Sequence, residues 1–595
     1  MKIIGISSFY HDSAAALIID GVIIAAVQEE RFTRIKHDPN FPFYSIKWCL
    51  KNNNLKIKDI DFFVFYDKPF LKFERLLETY LSFSPYGFKS FSQAIPIWIK
   101  EKLFLKKFLI NAFKKIDEKE DITSRLKFSE HHISHAASAF FPSPFNSSAI
   151  LTLDGVGEWT TTSISMGNEN NIEILKEIHF PHSLGLLYSA FTQYIGFKVN
   201  SGEYKLMGLA PYGKAIYTDK IIDNLVDIKK DGSFRLNQKY FDYCTGLSMV
   251  NKSFINLFGF PIRESNQKIL QHHMDLAASI QSVIETIIIK ICTSIKLETK
   301  AKNICLAGGV ALNCVANGKL HRQNIFEDIW VQPASGDCGG AIGSALALYY
   351  MYLGQKRNIS KKDSMFGSLL GPEWSNKVIE TELKKLNASF KEVNDKELID
   401  TTADLISKGK IIGWFQGKME FGPRSLGNRS ILADPRNKSM QSDLNLKIKY
   451  RESFRPFAPA ILLEDAELWF ELDIASPYML FVSQVKNKHP SVKEIYDIPA
   501  VTHVDNSARV QTVDKTVNPK FHSLISKFKK ITKYPILINT SFNVRGEPIV
   551  NSPEDAFRCF MGTGIDYLII GNYVLDKKMQ VLYDNENYKT KFKKD

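Results

Sequence analysis

Ala149-Ile150-Leu151-Thr152-Leu153-Asp154-Gly155-Val156-Gly157-Glu158 is an apolar run that breaks at a carboxylate and a glycine. Five β-prone residues ahead of such a break predict a buried strand opening into a polar loop. Trp159 to Met166 predicts a second strand, Gly167-Asn168-Glu169-Asn170 a turn, and Ile172 to Ile178 a third strand. The N-terminus reads the same way. Lys2 to Ser7 is a strand, Phe9-Tyr10-His11-Asp12-Ser13 a polar loop, and Ala14 to Ile19 and Val22 to Val27 are strands joined by the hairpin signal Asp20-Gly21. Strand, polar loop, strand, turn, strand therefore occurs twice, which predicts a duplicated α/β fold.

The architecture of actin, sugar kinases and heat-shock ATPases is built this way, with nucleotide between its halves. Just upstream of the second repeat, Ser129-Glu130-His131-His132-Ile133-Ser134-His135-Ala136-Ala137-Ser138-Ala139-Phe140 predicts a helix that Pro142 stops. His131 and His135, four apart, share one helical face. Zinc, iron and manganese sites usually add hard carboxylates to such a pair. Asp154 is one. Asp337, in Ser335-Gly336-Asp337-Cys338-Gly339-Gly340 after another predicted strand, is a second. Together they would make an octahedral metal site with positions left open, although a His pair on a helix is also an ordinary packed pair. The His11-Asp12 loop is a candidate ligand loop, or a plain turn. Asn303 to Leu306 predicts a strand opening into Ala307-Gly308-Gly309-Val310-Ala311-Leu312-Asn313, where backbone N–H groups and a helix start would face phosphate. Ser201 to Gly213, glycine-punctuated and containing Glu203 and Lys205, predicts a long loop on a binding cleft.

With 595 residues, two or more domains are expected, and 44% apolar with 24% charged residues is ordinary for soluble globular protein. No run of eighteen apolar residues predicts a membrane span, and the N-terminus turns polar too soon for a signal peptide. Seven scattered cysteines without a CxxC pair suit a reducing compartment, and hence a cytoplasmic protein. The net charge of +13 fits anionic small molecules or nucleic acid, but no nucleic-acid module is recognisable and most of the lysine excess reads as solvated surface. The mixed charges of Glu29 to Asp38 read as a solvated face, or as a segment closing over an anion. Residues 70 to 116 read as helical, with Phe73, Tyr80 and Trp98 as packing positions. A boundary over Gly354 to Lys362 and Gly371-Pro372 divides the chain into domains 1–355 and 365–580.

The second part is denser in signal. Ile411 to Trp414 predicts a strand that runs into Gly417 to Arg436, a stretch holding Arg424, Arg429 and Arg436. Lys447, Lys449, Arg451 and Arg455 follow, and Arg509 lies in the β-prone Ala508 to Val513. Arginines among apolar residues are costly to bury unless an anion pairs with them. That points to a pocket for phosphate or carboxylate, or else to internal salt bridges with Glu420, Asp434 and Glu452. Ile536 to Asn543 is a strand ending in amides and hydroxyls, and Ser552-Pro553 starts a helix with Ser as N-cap and Pro at N1.

Taken together these stretches resemble the O-carbamoyltransferases of antibiotic and nodulation-factor biosynthesis, the NodU/CmcH type. The carriers are His11 to Ala15, Glu29 to Arg34, His131 to Ala139, Gly202 to Gly213, Ala307 to Asn313, Phe421 to Arg436 and Asn539 to Asn543. The resemblance implies an actin-like N-terminal domain similar to the tRNA threonylcarbamoyl transferase fold, and a YrdC-like α+β C-terminal domain. It implies that carbamoyl phosphate is cleaved in the C-terminal domain, that the carbamate attacks ATP to give carbamoyl-adenylate and pyrophosphate, and that the carbamoyl group then passes to a substrate hydroxyl in the N-terminal domain. By this resemblance Arg424, Lys449, Arg455 and Arg509 hold carbamoyl phosphate, and Asn539 and Ser541 bind the carbamoyl end. Glu203 and Lys205 belong to a substrate-binding motif. His131, His135, Asp154 and Asp337 hold a divalent metal, iron by resemblance, while Mg2+ accompanies ATP. Gly308, Gly309 and Asn313 line the nucleotide, and Lys36 meets its phosphates. His11, a neutral histidine near its ordinary pKa, is the general base. A small-molecule acceptor and a possible homodimer are implied, with neither membrane nor nucleic acid as partner. A tRNA-modifying enzyme on the same fold is the alternative.

Overall fold

Two five-stranded sheets share one topology in the computed structural model of this chain. The structure describes residues 1–97, 104–452, 454–486, 497–581 and 588–592; Trp98, Ser453, Lys593 and Lys594 lie outside the described residues. In the first sheet the neighbours run Val22–Gln28, Ala14–Ile19, Lys2–Ser7, Phe62–Phe65, Leu126–Phe128. In the second they run Asn171–His179, Thr160–Asn168, Ser147–Leu153, Asn303–Ala307, Asp328–Val331. Each half has its first three strands antiparallel, as hairpins allow, and its last two parallel, as helical crossovers require. The predicted repeat is present in both. The hairpin at Asp20-Gly21 forms because both residues take the left-handed backbone, at φ 49° and 79°.

Each half places a helix after its fifth strand: His131–Phe140 in the first, Gly339–Ala347 in the second. The two helices pack against each other. A Cβ on Gly343 would lie 1.7 Å from the Ser134 carbonyl oxygen, so only glycine permits this approach. The polar loops after the first strands and the starts of these helices all lie at the carboxyl ends of parallel strands, where open α/β sheets bind ligands.

Helix Gln271–Thr299 is long and apolar enough to span a bilayer, which the absence of an eighteen-residue apolar run did not predict. Its most apolar window is 67% buried in this protein, with Leu276, Ile280, Ile284, Ile287 and Ile291 inside. It serves as a core helix, and interspersed polar residues such as Gln281 and Glu285 find protein partners.

The chain divides into two compact units, Met1–Glu29 with His37–Ser364, and Glu30–Lys36 with Met365–Asp595. The second unit is built on a nine-stranded mixed sheet whose central strands are Ile412–Phe415, Arg429–Ala433 and Ile536–Ser541. Trp414, Leu432, Phe521, Phe528, Leu537 and Ile569 form its core. Helix Pro553–Met561 starts as predicted, with Ser552 Oγ accepting from the Asp555 N–H at 3.1 Å and Asp555 Oδ2 accepting from the Ser552 N–H at 3.0 Å.

Two local expectations are corrected. Glu29, Glu30, Arg31 and Asp38 are buried and form no solvated face. Glu29 accepts from the N–H groups of Tyr44 and Ser45 at 2.9 and 2.8 Å, satisfying the start of helix Phe43–Asn52. Within the second unit Arg31 donates to the Gly422 carbonyl at 2.8 Å, and Arg34 to Ile549 O at 2.7 Å and Glu547 Oε1 at 2.9 Å. Ser201 to Gly213 holds helix Glu203–Leu209 and a following turn of 3-10 helix. Leu206 and Leu209, three apart, bury one face, and Glu203 ties down the Asn200 and Gly202 N–H groups ahead of the helix.

Candidate functional site

Four side chains from one helix and two loops meet at one point in the first unit. Helix His131–Phe140 points His131 and His135 the same way, with Nε2 atoms 3.1 Å apart. His131 Nε2 lies 3.2 Å from Asp154 Oδ2 and 3.9 Å from Asp337 Oδ1; His135 Nε2 lies 3.9 and 3.8 Å from the same two atoms. One ligand atom from each falls within 4.8 Å of every other, and all four residues are buried. Asp154 takes its other oxygen, Oδ1, to the Gly309 N–H at 3.1 Å, and Asp337 takes Oδ2 to the Tyr66 hydroxyl at 3.1 Å. The Glu158 carboxylate accepts from the His131 N–H at 3.0 and 3.1 Å, fixing the first turn of the helix.

Two of the four protonation states suit a cation, whereas His131, which burial alone would lower, is raised by its contact with Asp154 and the charge of Asp337 and would give up its proton to a metal. Burial, then the neighbouring His131, pushes His135 down to about 4, so it offers a neutral nitrogen. Burial would raise Asp154, but its contact with His131 and the field of His135 hold it well below the usual carboxylate range. Two carboxylates and two imidazole nitrogens converging with buried donors behind them fit a divalent metal of the iron, zinc or manganese type.

His11 sits beside this cluster on the matching loop of the first half. Its Nδ1 lies 3.0 Å from Asp12 Oδ2, and the other oxygen of Asp12 lies 2.7 Å from His37 Nδ1. Phe9, Asp12 and His37 all take left-handed backbone, at φ 72°, 54° and 57°, strain gathered at two loops that the Ser13 N–H to Asp38 carbonyl bond of 2.9 Å joins. The expectation of an ordinary histidine pKa is corrected. Burial disfavours the charge on His11, yet the carboxylates of Asp337, Asp12 and Asp154 outweigh it and raise the pKa to about 10.

Other sequence-selected residues of this unit have structural employment. Asn313 caps helix Cys314–Arg322 through the Ala316 N–H at 3.1 Å and exchanges two bonds of 3.1 and 3.0 Å with Gln281, which fixes the orientation of its side chain. Gly308, at φ 85°, passes so close to Leu153 that a Cβ would sit 2.2 Å from its carbonyl oxygen. Glu203 accepts from Ser189 Oγ at 2.7 Å, and Lys205 is buried with its ammonium 5.9 Å from the Phe197 ring centre. Lys36 clusters with the second unit.

In the second unit Asn539 and Ser541 lie on one face of strand Ile536–Ser541. Buried Lys449 donates to Ser541 Oγ at 3.3 Å and to Asn543 Oδ1 at 3.0 Å. Its burial, with the charges of Arg451 and Arg455, drives its pKa well below the ordinary lysine value. Asn539 Nδ2 donates to the Ser425 carbonyl at 3.2 Å and to Gln511 Oε1 at 2.7 Å, which draws in the Arg424-Ser425 loop and the strand of Arg509. Asn539 Oδ1 is buried without a protein partner among the described residues. Arg455 lies 3.9 Å from Glu452, which also meets Arg545 at 3.3 Å. The salt-bridge alternative holds for Arg436, paired with Asp434 at 2.6 Å. Arg429 fits neither reading. It is fully buried, donates to the carbonyls of Gln416 and Pro372 at 2.6 and 3.0 Å, and stacks 3.7 Å from the Phe415 ring centre.

Tyr66, Glu158, His37 and Gln511 were not singled out from the sequence. Glu158 closes the stretch Asp154-Gly155-Val156-Gly157-Glu158, and Tyr66 ends the apolar run Phe62 to Phe65, so polarity at a strand end was the available signal for both. Nothing local marks His37 or Gln511, whose partners are distant in sequence.

Comparison with known proteins adds independent findings. Residues 2–346 match the family model described as carbamoyltransferase N-terminus, and residues 403–577 the one described as carbamoyltransferase C-terminus. The chain is 55% identical to the Synechocystis protein sll1178 over 97% of each chain. It is 38% identical to the nodulation protein NolNO of Sinorhizobium fredii, over 96% of this chain and 80% of that one. It is 33% identical to the 3'-hydroxymethylcephem-O-carbamoyltransferase of Amycolatopsis lactamdurans, over 45% of this chain and 47% of that one.

Proposed function

The chain belongs to the carbamoyltransferase family, and from that premise we propose an ATP-dependent O-carbamoyltransferase that works through carbamoyl-adenylate. The reading makes the first unit actin-like and the second YrdC-like. The observation that carries it is the convergence of His131, His135, Asp154 and Asp337 in the first unit.

In the second unit Arg424, Arg455, Arg509 and Lys449 neutralise carbamoyl phosphate while Asn539 and Ser541 orient its carbamoyl end. Water cleaves carbamoyl phosphate to carbamate and inorganic phosphate, and a carbamate oxygen then attacks the α-phosphorus of ATP and expels pyrophosphate. In the first unit the acceptor hydroxyl oxygen bonds to the carbamoyl carbon, the mixed-anhydride C–O bond breaks, and AMP departs. His11 takes the hydroxyl proton on Nε2, held in orientation by Asp12 at Nδ1. His131, His135, Asp154 and Asp337 would hold a divalent metal, iron by resemblance, which would supply Lewis acidity toward phosphate oxygens. A cation there would offset the field of Asp154 and Asp337 that helps His11 keep its proton, and the ring would be readier to stand neutral.

The test supplies ATP and carbamoyl phosphate to the metal-loaded protein and follows pyrophosphate, then adds a panel of hydroxyl compounds and looks by mass spectrometry for the gain of one carbamoyl unit. Pyrophosphate release that depends on carbamoyl phosphate supports the reading. Its absence from active-site-intact, metal-loaded protein overturns it.

A further inference from the structure

Three cations on or just ahead of helix Pro69–Ser82 face the metal-site loops, and they are not equivalent. Lys68, just ahead of the helix, pairs with Glu130 at 2.6 Å, and Lys72 pairs with Asp67. Arg75, one turn on, has no carboxylate within ion-pair distance among the described residues. It donates Nη1 to the Gly157 carbonyl at 2.6 Å and lies 5.3 Å from the Phe180 ring centre. Its remaining N–H groups have no protein partner among the described residues and are not sealed from solvent. A half-buried guanidinium anchored by one nitrogen leaves a planar fork presented to whatever enters.

We propose that Arg75 forms an oxyanion subsite beside the metal cluster, taking a carboxylate or phosphate oxygen of the ligand that reacts there.

The placement carries the assignment. Gly157 stands three residues after Asp154, in the loop that also supplies Glu158 to the His131 N–H. Tyr10, among the groups whose field reaches Arg75, has its ring 4.7 Å from that of His11. The fork therefore belongs to the side of the cluster where the acceptor hydroxyl would meet its base. A guanidinium matches carboxylate and phosphate with paired, parallel hydrogen bonds. Burial lowers Arg75 to about 10, the signature of a cation desolvated without a full counter-charge, and an incoming anion completes it. Two sources supply such an oxyanion: the phosphate of carbamoyl-adenylate, or an acidic group on the acceptor. The role, though not the site, rests on the carbamoyltransferase reading.

Phenylglyoxal modification of Arg75 in the full-length, metal-loaded protein, followed by peptide mass spectrometry, tests the proposal without an acceptor in hand. Inorganic phosphate should slow modification of Arg75 roughly tenfold, the scale of one charge-assisted hydrogen bond. If AMP protects Arg75 and adenosine does not, the subsite holds the nucleotide phosphate. If AMP leaves it reactive while phosphate or acetate still protects it in the AMP-loaded protein, the subsite faces the acceptor, which is then acidic. A rate indifferent to phosphate, acetate and AMP overturns the proposal. As a second measure, whichever anion protects should bind Arg75→Lys better than Arg75→Ala; equal affinity also counts against it. Pyrophosphate release on the same preparation reports the carbamoyltransferase reading separately, so protection without pyrophosphate keeps the anion site and removes that reading.

Discussion

Replacing Tyr66 by Phe should weaken metal binding without unfolding the first unit. The Tyr66 hydroxyl donates to Asp337 Oδ2 at 3.1 Å, both residues are buried, and the opposite oxygen of Asp337 faces the histidines. Removing the hydroxyl leaves the ring in place, so little packing is lost. What is lost is a hydrogen bond to an ionised group, about 1.5–3 kcal/mol. Because this donor holds Asp337 Oδ2 and leaves Oδ1 facing the histidines, most of that falls on the affinity for the cation, and a loss of roughly 10- to 100-fold is expected, the range for outer-shell partners of metal ligands. Burial, then the charge of Asp337, raises the Tyr66 pKa well above the ordinary value, so the hydroxyl stays protonated and the ratio between wild type and variant should be the same at pH 6.5 and pH 8.5. The assay is competitive titration of the bound metal against a chelator, with near-ultraviolet circular dichroism to show that packing is kept. An affinity within about twofold of wild type in a folded variant would refute the reasoning that links Tyr66 through Asp337 to the metal.

His135→Ala should abolish metal occupancy, read by elemental analysis, and carbamoyl transfer with it; full occupancy would remove the cluster from consideration. In the metal-free protein His135, held neutral at about 4 against an ordinary 6.5, favours the unfolded state as protons are added, so its contribution to stability is complete above pH 6.5 and declines as pH falls toward about 4. Urea titrations across that window should show the decline, and in His135→Asn a shallower one. His11→Ala should slow acceptor carbamoylation on the order of a hundred- to ten-thousand-fold while pyrophosphate release continues, and equal loss of both would place His11 elsewhere. Arg424→Ala should stop cleavage of carbamoyl phosphate yet leave transfer from supplied carbamoyl-adenylate; if both activities vanish from a folded variant, the division of labour is wrong.

The duplicated half-domain was legible because alternation of apolar runs and polar loops is a local property, and both copies carry it in the same order. The four cluster residues were legible for a related reason. His131 and His135 follow helical spacing, and Asp154 and Asp337 stand beside glycines, the first just past a strand end and the second in the turn that follows another strand. Lys449 and Ser541 were picked out by residue type, but their contact, made across 92 residues, was not visible beforehand. The roles that polar side chains play inside the fold were not legible. Asn313, Glu29 and Glu203 each accept from backbone N–H groups at or ahead of a helix start, which residue type alone does not announce. Only the fold says which N–H is within reach. The charge of His11 was missed because Asp337 and Asp154 reach it from loops far along the chain.

The excursion of Glu30–Lys36 into the second unit sets a rule for dissecting this protein. Arg34 supplies that unit with an ion pair to buried Glu547 at 2.9 Å, another to Asp555 at 3.3 Å, and bonds to the carbonyls of Pro548 and Ile549. A fragment beginning at Met365 would leave the Glu547 carboxylate buried without its cation, a loss of several kcal/mol. Cutting the gene at the apparent boundary therefore yields a C-terminal piece that is missing a part encoded more than three hundred codons upstream. A separable second unit needs that heptapeptide returned to it, by circular permutation, by a linker, or as a synthetic peptide whose binding would itself be measurable.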